Sequence, residues 1–166
     1  MIPFVSNRES ARFLVDALKF PPVGRRGLDG AGIDNDFYLN GTRNYPAEAN
    51  QETLIAAQIE TPEALDHVDE IASVPGIDIL FMGPGDLSLQ MGCAYDWAEP
   101  RMQAAQKSIA AAAARNGIHW GRPTGTAEDM TDMLRNGARF IAHGSDFESI
   151  SSSMQNRYRL TFEKAL

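Results

Sequence analysis

The sequence is short of cysteine and of long apolar runs, and each shortage narrows the classes of protein it can encode. Its 166 residues include a single cysteine, Cys93, which excludes an internal disulfide and a cysteine-rich zinc site. No apolar run approaches the ~20 residues that a membrane-spanning helix requires. The N-terminus also lacks the charged and apolar segments of a secretory signal. We therefore expect a cytoplasmic protein with no membrane partner.

Basic residues are also few. The 15 Lys and Arg residues are outnumbered by 22 Asp and Glu residues, which gives a net charge of −7. No cluster of basic side chains offers a surface for a nucleic-acid backbone, and the pair Arg25-Arg26 is too small to form one. The hydrophobic content of 43% is ordinary for a soluble globular protein. The length and composition therefore predict one acidic globular domain without a nucleic-acid partner.

A central segment predicts a strand, a helix and a second strand in succession. Residues 54–59 form an apolar run of strand length that ends on Glu60. Thr61 is a suitable helix N-cap and Pro62 suits the first helical position, after which apolar residues recur at helical spacing. Residues 77–82 make a second apolar run. This order is that of a parallel βαβ unit.

Acidic residues follow both strands of this unit. Glu60 ends the first strand, and Asp86 lies just past the second. Ligands gather at the carboxyl ends of parallel strands, so these two carboxylates could share one hard cation. Gly83 and Gly85 would let the backbone approach a ligand closely, and a helix beginning near Leu87 would offer amides to an anion. On the residues alone, the alternative stays open that one acid flanks a helix and the other caps one.

Three stretches in this chain resemble one enzyme family. They read FPPVGRRG at residues 20–27, QIET at 58–61 and IASVPGIDILFMGPGDLS at 71–88. They are similar to the metal-dependent pyruvate aldolases of the HpcH/HpaI (4-hydroxy-2-oxo-acid aldolase) family and to macrophomate synthase. The resemblance extends from about residue 2 to residue 146. It implies an α/β fold of the TIM-barrel type, as in the phosphoenolpyruvate/pyruvate superfamily to which that family belongs.

The resemblance also implies a site and a reaction. The family's acids that match Glu60 and Asp86 bind Mg²⁺, Mn²⁺ or Co²⁺, and the amides that match Gly85 and Asp86 hold the carboxylate of pyruvate. The implied activity is that of a carbon–carbon lyase, which cleaves 4-hydroxy-2-oxo acids to pyruvate and an aldehyde, or of a related oxaloacetate decarboxylase. A nucleotide site at the GPGDLS turn is disfavoured, because the turn lacks a P-loop lysine and the spaced glycines of a dinucleotide fingerprint.

Part of the family's machinery has no counterpart in this sequence. Five strands are predicted, at residues 2–5, 54–59, 77–82, 118–122 and 140–142. The resemblance assigns them to barrel strands four to eight, so residues 1–166 would form one partial (β/α)-barrel domain. The family's catalytic arginine and histidine come from the first three strands. The basic residues that this chain does contain do not match them: Arg25, Arg26, His67, His119 and His143.

This shortfall leaves two interpretations open. Either the chain is part of a longer enzyme, or the missing strands arrive from another chain. A non-catalytic half-barrel that self-associates, or that pairs with a full-length homologue, is the alternative function. Open sheet edges and an uncovered apolar face would favour such association.

Outside the central unit, the sequence predicts further helices and three features with open interpretations. The helices are placed at residues 8–18 (capped by Ser6), 45–52, 100–116, 126–136 and 149–166. The last helix carries the stripe Ile150, Met154, Tyr158 and Phe162. In the family this helix is exchanged between subunits, which implies a homo-oligomer, although packing on its own barrel is equally consistent with the stripe. The acids Asp29, Asp34 and Asp36 predict a solvated loop rather than a second metal site. Arg122 is interpreted as either an anion contact or a surface ion pair.

Overall fold

Four parallel strands form the framework of the protein. The computed structural model describes residues 1–29, 31–39 and 44–163. The strands are β1 (Ala56–Ile59), β2 (Ile79–Met82), β3 (His119–Thr124) and β4 (Phe140–His143), and they lie side by side in chain order. All the pairings are parallel, as expected for part of a (β/α) barrel.

Helices alternate with these strands along the chain. They are α1 (Arg8–Leu18), α2 (Tyr45–Glu52), α3 (Pro62–Asp66), α4 (Val68–Ala72), α5 (Pro84–Gln90), α6 (Pro100–Asn116), α7 (Ala127–Arg135) and α8 (Asp146–Tyr158). A 3₁₀ turn spans Ile33–Tyr38, and a π-helical turn spans Arg159–Glu163. Within the described ranges, no helix is long and apolar enough to cross a membrane.

The predicted βαβ unit is present, but its helix is divided. Thr61 caps α3 by accepting a hydrogen bond from the Ala64 amide at 3.0 Å. His67 leaves the helical conformation, with φ −102° and ψ 15°, and separates α3 from α4. The two short helices still cover one face of the sheet, because Val68 and Ile71 are buried there.

The predicted first strand, residues 2–5, is reduced to a single bridge beside β1. The Ile2 amide donates to the Ala56 carbonyl, and the Gln58 amide donates to the Ile2 carbonyl, both at 3.0 Å. Phe4 then adopts φ 56°, a left-handed conformation that no strand can contain. The prediction is therefore correct about the position of this segment and wrong about its length.

The strands predicted at residues 118–122 and 140–142 are present as β3 and β4, and each is one residue longer than predicted. Gly121 does not interrupt β3, since it pairs with Phe81 of β2 on one side and Phe140 of β4 on the other. A Cβ at this position would collide with the Phe140 carbonyl, and the rings of Phe81 and Phe140 meet edge to face with centroids 5.7 Å apart. Gly121 therefore lets three strands share one aromatic contact.

The hydrophobic core lies between the sheet and the helices α1, α3, α4, α6 and α7. The sheet contributes Ile59 and Leu80, and the helices contribute residues such as Val15, Ile71 and Ile109. All five of these side chains are fully buried. The ends of the strands are therefore held in place by the packing of the helices on the sheet.

The last strand contacts this core only through Ile141, and the last helix contributes no residue to it. Phe140 and Ala142 of β4 are exposed, and the described part of α8 contains no buried side chain. The predicted start of this helix at residue 149 is wrong, because Ser145 caps it and the helix begins at Asp146. Residues 164–166 lie outside the described part of the chain.

The acidic loop is described only in part. The Asp34 side chain and residues 30 and 40–43 lie outside the description, while Asp29 and Asp36 are exposed. Among the described residues, no three His, Cys, Asp or Glu side chains are grouped closely enough to hold a metal ion. The interpretation of this loop as solvated acids stays a prediction.

Candidate functional site

The candidate site lies at the carboxyl end of β1 and β2. Ile59 and Met82 are the last paired residues of the two strands, and the Gly83 amide continues the ladder with a 3.0 Å bond to the Ile59 carbonyl. Glu60 and Gly83 are consequently neighbours at the same edge of the sheet. This is the edge at which parallel β/α proteins bind their ligands.

Glu60 is a buried carboxylate that has no cationic partner among the described residues. Its exposed fraction is 1%, and its Oε1 accepts a 2.8 Å hydrogen bond from the Phe4 amide. Its Oε2 accepts a hydrogen bond from Nε2 of Gln58. No ion pair to Glu60 is found among the residues that the structure describes. A buried charge is costly unless it is paired or coordinates a metal, so this arrangement suits a bound cation.

Gly83 provides the space in which the Glu60 side chain lies. A Cβ placed on Gly83 would stand 2.6 Å from Glu60 Oε2 and 2.8 Å from the side-chain nitrogen Nε2 of Gln58. A Cβ on Gly85, by contrast, would meet nothing within 4 Å. The expectation that both glycines leave room for a ligand therefore needs correction, since Gly83 accommodates Glu60 and only Gly85 faces free space.

Asp86 lies in the first turn of α5, three residues after Gly83. The N-cap residue of α5 is Gly83, so the alternative that Asp86 serves as an N-cap is excluded. Asp86 is exposed, and none of the described residues forms a hydrogen bond or ion pair with its carboxylate. Its charge favours the N-terminal end of the helix. The Asp86 carboxylate is therefore accessible to a ligand, and it forms no hydrogen bond or ion pair with the described residues that a ligand would have to displace.

The donor set at this edge fits a hard divalent ion. Each Glu60 oxygen accepts one hydrogen bond and keeps one lone pair, because a carboxylate offers about four acceptor positions. Carboxylate oxygens are the ligands that Mg²⁺ and Mn²⁺ prefer, and two carboxylates leave coordination positions for water or substrate oxygen atoms. The residues present are thus compatible with the metal implied by the family resemblance.

Arg122 forms its hydrogen bonds with residues other than Glu60 and Asp86. Its side chain is 7% exposed, and its Nη1 donates to Asp129 Oδ2 at 2.8 Å while its Nε donates to Gln106 at 2.7 Å. The hydrogen bonds from Arg122 hold the pKa of the Asp129 carboxyl below its usual range. Of the two interpretations, the ion pair is the one observed, with a buried guanidinium and a partly exposed carboxylate, and it joins β3 to the helix side of the sheet.

The three histidines are also placed away from the two acids or engaged elsewhere. His119 pairs with Ile79 at the start of the strands, which is the opposite edge of the sheet from Glu60. His143 has its Nδ1 2.9 Å from the Thr124 carbonyl, and His67 has its Nδ1 2.9 Å from the Glu63 carbonyl. None of the three approaches Glu60 through a hydrogen bond or an ion pair.

Two contacts to Glu60 were not anticipated from the sequence. Gln58 lies two residues before Glu60 on a strand, so the alternation of side chains places both on one face and could have identified it. The Phe4 amide had no such signal, because a left-handed phenylalanine is rare and leaves no mark in composition or spacing.

The fold and the site together define a class of protein. The chain forms part of a (β/α) barrel in which acids follow adjacent strands at one edge of the sheet. Within that class, the chain belongs to the HpcH/HpaI aldolase/citrate lyase family, whose sequence profile matches residues 1–153. The resemblance inferred from the three sequence stretches is therefore confirmed.

Individual relatives agree with this membership. A 4-hydroxy-2-oxovalerate aldolase of Novosphingobium aromaticivorans is 39% identical over 150 residues, covering 88% of this chain and 55% of the relative. The structure of an HpcH/HpaI aldolase from Desulfitobacterium hafniense has a TM-score of 0.88 at 30% identity and covers 96% of this chain. Macrophomate synthase has a TM-score of 0.76 at 25% identity and covers 99%. The chain spans only 62% and 59% of these two structures.

Proposed function

We propose that this chain carries the metal-binding half of a carbon–carbon lyase. The reaction is cleavage of a 4-hydroxy-2-oxo acid to pyruvate and an aldehyde, or the related decarboxylation of oxaloacetate. In the cleavage, the C3–C4 bond breaks and its electron pair passes to C3. C3 then takes a proton to become the methyl group of pyruvate, and the 4-hydroxyl loses its proton as the aldehyde forms.

One observation carries the proposal, which is the state of Glu60. This carboxylate is 1% exposed, has no cationic partner among the described residues, and follows a parallel strand at the edge where ligands bind. A structural acid in such a position would be expected to pair with Arg or Lys. Family membership, together with the exposed and unengaged Asp86, supports a divalent cation in that role.

The residues of this chain then have distinct roles. Glu60 and Asp86 would hold the ion, which could be Mg²⁺, Mn²⁺ or Co²⁺. When bound, such an ion supplies a Lewis acid that stabilises the negative charge developing on the 2-oxo oxygen. The amides of Gly85 and Asp86 would bind the carboxylate of the substrate, since the space above Gly85 is open.

The proton-transferring groups are not assigned to this chain. No described arginine or histidine forms a hydrogen bond or ion pair with Glu60 or Asp86. Turnover therefore requires residues beyond these, as the resemblance to the family implies. The alternative function is a non-catalytic half-barrel that self-associates or pairs with a full-length homologue, and the exposed apolar residues of β4 and α8 favour it.

Metal binding by the chain separates the site proposal from a purely structural role for the acids. We expect Mn²⁺ to bind the wild-type chain, and we expect Glu60→Gln to weaken binding by about 100-fold or more, because one of two charged ligands is lost. Titration monitored by the electron paramagnetic resonance of free Mn²⁺ measures this directly. Glu63→Gln, an exposed acid in the following helix, is the matched control and should bind as the wild type does. Equal affinities of all three proteins would contradict the proposal.

Activity and assembly separate the two functions. Release of pyruvate from 4-hydroxy-2-oxovalerate with Mn²⁺, lost in Glu60→Gln, supports the lyase. Mn²⁺ binding without turnover by a self-associated chain supports the half-barrel. A monomeric chain with a cooperative thermal transition would exclude self-association as the reason for its stability.

A further inference from the structure

The segment before Val5 contains a strained residue whose conformation is explained by the candidate site. Phe4 has φ 56°, a region that is disfavoured for every residue with a Cβ. Burial of its side chain does not explain the strain, because the ring is 58% exposed. The backbone contact does explain it, since the left-handed turn directs the Phe4 amide to Glu60 Oε1 at 2.8 Å.

Strain of this kind persists only where the surroundings determine it, and it concentrates at functional sites. On the near side of Phe4, the Ile2 bridge holds the chain against β1. On the far side, Val5 is buried in the core. Phe4 therefore has little freedom to relax, and its amide is fixed in space relative to the end of β1.

We propose that the left-handed turn at Phe4 is a positioning device for Glu60, in which the backbone amide fixes one carboxylate oxygen and so orients the other lone pairs toward a divalent cation. The inference rests on the proposed function for its ligand. Groups that hydrogen-bond to a metal ligand without touching the metal commonly contribute to affinity, and their removal lowers the metal affinity by about 10–100-fold. Phe4 would act in this way through its backbone amide, and its side chain would not be required.

The direct test removes only the amide hydrogen. Replacing residue 4 by the α-hydroxy analogue of phenylalanine, through nonsense suppression in the full chain, puts an ester oxygen in place of the N–H. We expect the Kd for Mn²⁺ to rise by about tenfold or more. The matched control is the same exchange at Tyr95, which also has a positive φ, of 63°, and whose amide donates to Ser88 Oγ at 3.1 Å. That ester should leave Mn²⁺ binding unchanged.

A second measurement tests the strain without any metal. Phe4→Gly and Phe4→Ala both remove the ring, but only glycine adopts a positive φ without cost. We expect the glycine variant to melt about 2–4 °C above the alanine variant. If the alanine variant is as stable as the glycine variant, residue 4 does not have the left-handed conformation. If the Kd for Mn²⁺ is unchanged in the Phe4 ester, the Phe4 amide does not position Glu60. Failure of the proposed function is distinguishable, since Glu60→Gln would then bind Mn²⁺ as tightly as the wild type.

Discussion

Gly83 is required at its position by space rather than by backbone conformation. Its φ of −93° is accessible to any residue, yet a Cβ there would stand 2.6 Å from Glu60 Oε2 and 2.8 Å from Glu60 Cβ. Both distances are well inside van der Waals contact. A side chain at position 83 would consequently have to displace the Glu60 carboxylate, the only strongly buried acid at this edge among the described residues.

Gly83→Ala is therefore expected to be disruptive where Gly85→Ala is not. Overpacking of this kind costs about 1–3 kcal/mol of unfolding free energy, and the displaced carboxylate should also bind Mn²⁺ more weakly. Gly85→Ala places its Cβ in open space within the first turn of α5, and alanine is the better helix former by about 1 kcal/mol. Urea unfolding of both variants measures the difference. Equal free energies of unfolding would show that Glu60 does not lie against Gly83.

The residues of the site were predictable to different degrees. The position of Glu60 was predictable because it follows an apolar strand, and that of Asp86 because it follows the next strand in the same way, whereas their role as metal ligands stays a prediction. Gln58 could have been found by the two-residue alternation. The Phe4 amide could not, since it depends on a tertiary contact across 56 positions of sequence and on a conformation that phenylalanine disfavours.

At the scale of elements, an ion pair between a buried arginine and a partly exposed aspartate joins β3 to α7. Arg122 is 7% exposed, and its bidentate contact with Asp129 is reinforced by the Thr124 hydroxyl, which donates to Asp129 Oδ2 at 2.7 Å. Since Asp129 lies in the first turn of α7, the pair also fixes where that helix begins. Removing the acid would leave a buried guanidinium without its counter-charge.

Asp129→Asn should destabilise the fold by about 1–2 kcal/mol at neutral pH, because the pair lies between a solvent-screened pair and a fully buried one. Arg122 lowers the pKa of Asp129 in the folded state. The stabilising contribution is therefore complete above the unfolded-state pKa, near pH 4, and is lost as the pH falls through the lower folded-state pKa. The difference in unfolding free energy between wild type and variant should shrink over that acidic range. A difference that is independent of pH down to the acid transition would contradict the coupling.

The exposed pair Asp132–Arg135 is the matched control for this experiment. Its atoms are 3.5 Å apart, and both side chains are more than two-thirds exposed. Asp132→Asn should change the unfolding free energy by no more than about 0.5 kcal/mol, since solvent screens such pairs.

The bounds of elements followed from local signals where those signals were complete. α1, α2 and α6 have the predicted bounds, because cap, proline and Gly117 signals bracket a helical pattern in each region. α1 is nevertheless capped by Asn7 rather than Ser6, through a 2.9 Å bond from the Ser10 amide. The start of α8 was misplaced because the cap Ser145 and the first-turn acid Asp146 were read as part of the preceding loop.

At the scale of the whole molecule, the distribution of apolar surface is uneven. Large apolar side chains on α8 and the following π-helical turn are each more than half exposed: Phe147, Ile150, Met154, Tyr158, Leu160 and Phe162. Monomeric proteins rarely expose an apolar patch of this extent, so it indicates an interaction surface. An exchange of this helix between subunits, as the family resemblance implies, would cover the patch, and we keep the homo-oligomer as a prediction.

Substitutions on the two sides of α8 test that assembly. The double variant Ile150→Ser and Met154→Ser removes the centre of the stripe without adding charge, and we expect it to shift the chain toward monomer, because burying two such side chains contributes about 2–3 kcal/mol each. Sedimentation velocity over a range of protein concentrations measures the shift. Ser152→Asp changes an exposed polar position of the same helix and should leave the assembly intact. Since no side chain of α8 in the described structure is buried, neither variant should alter the thermal transition of the β/α core, and a matching loss of core stability would show instead that α8 packs on its own barrel.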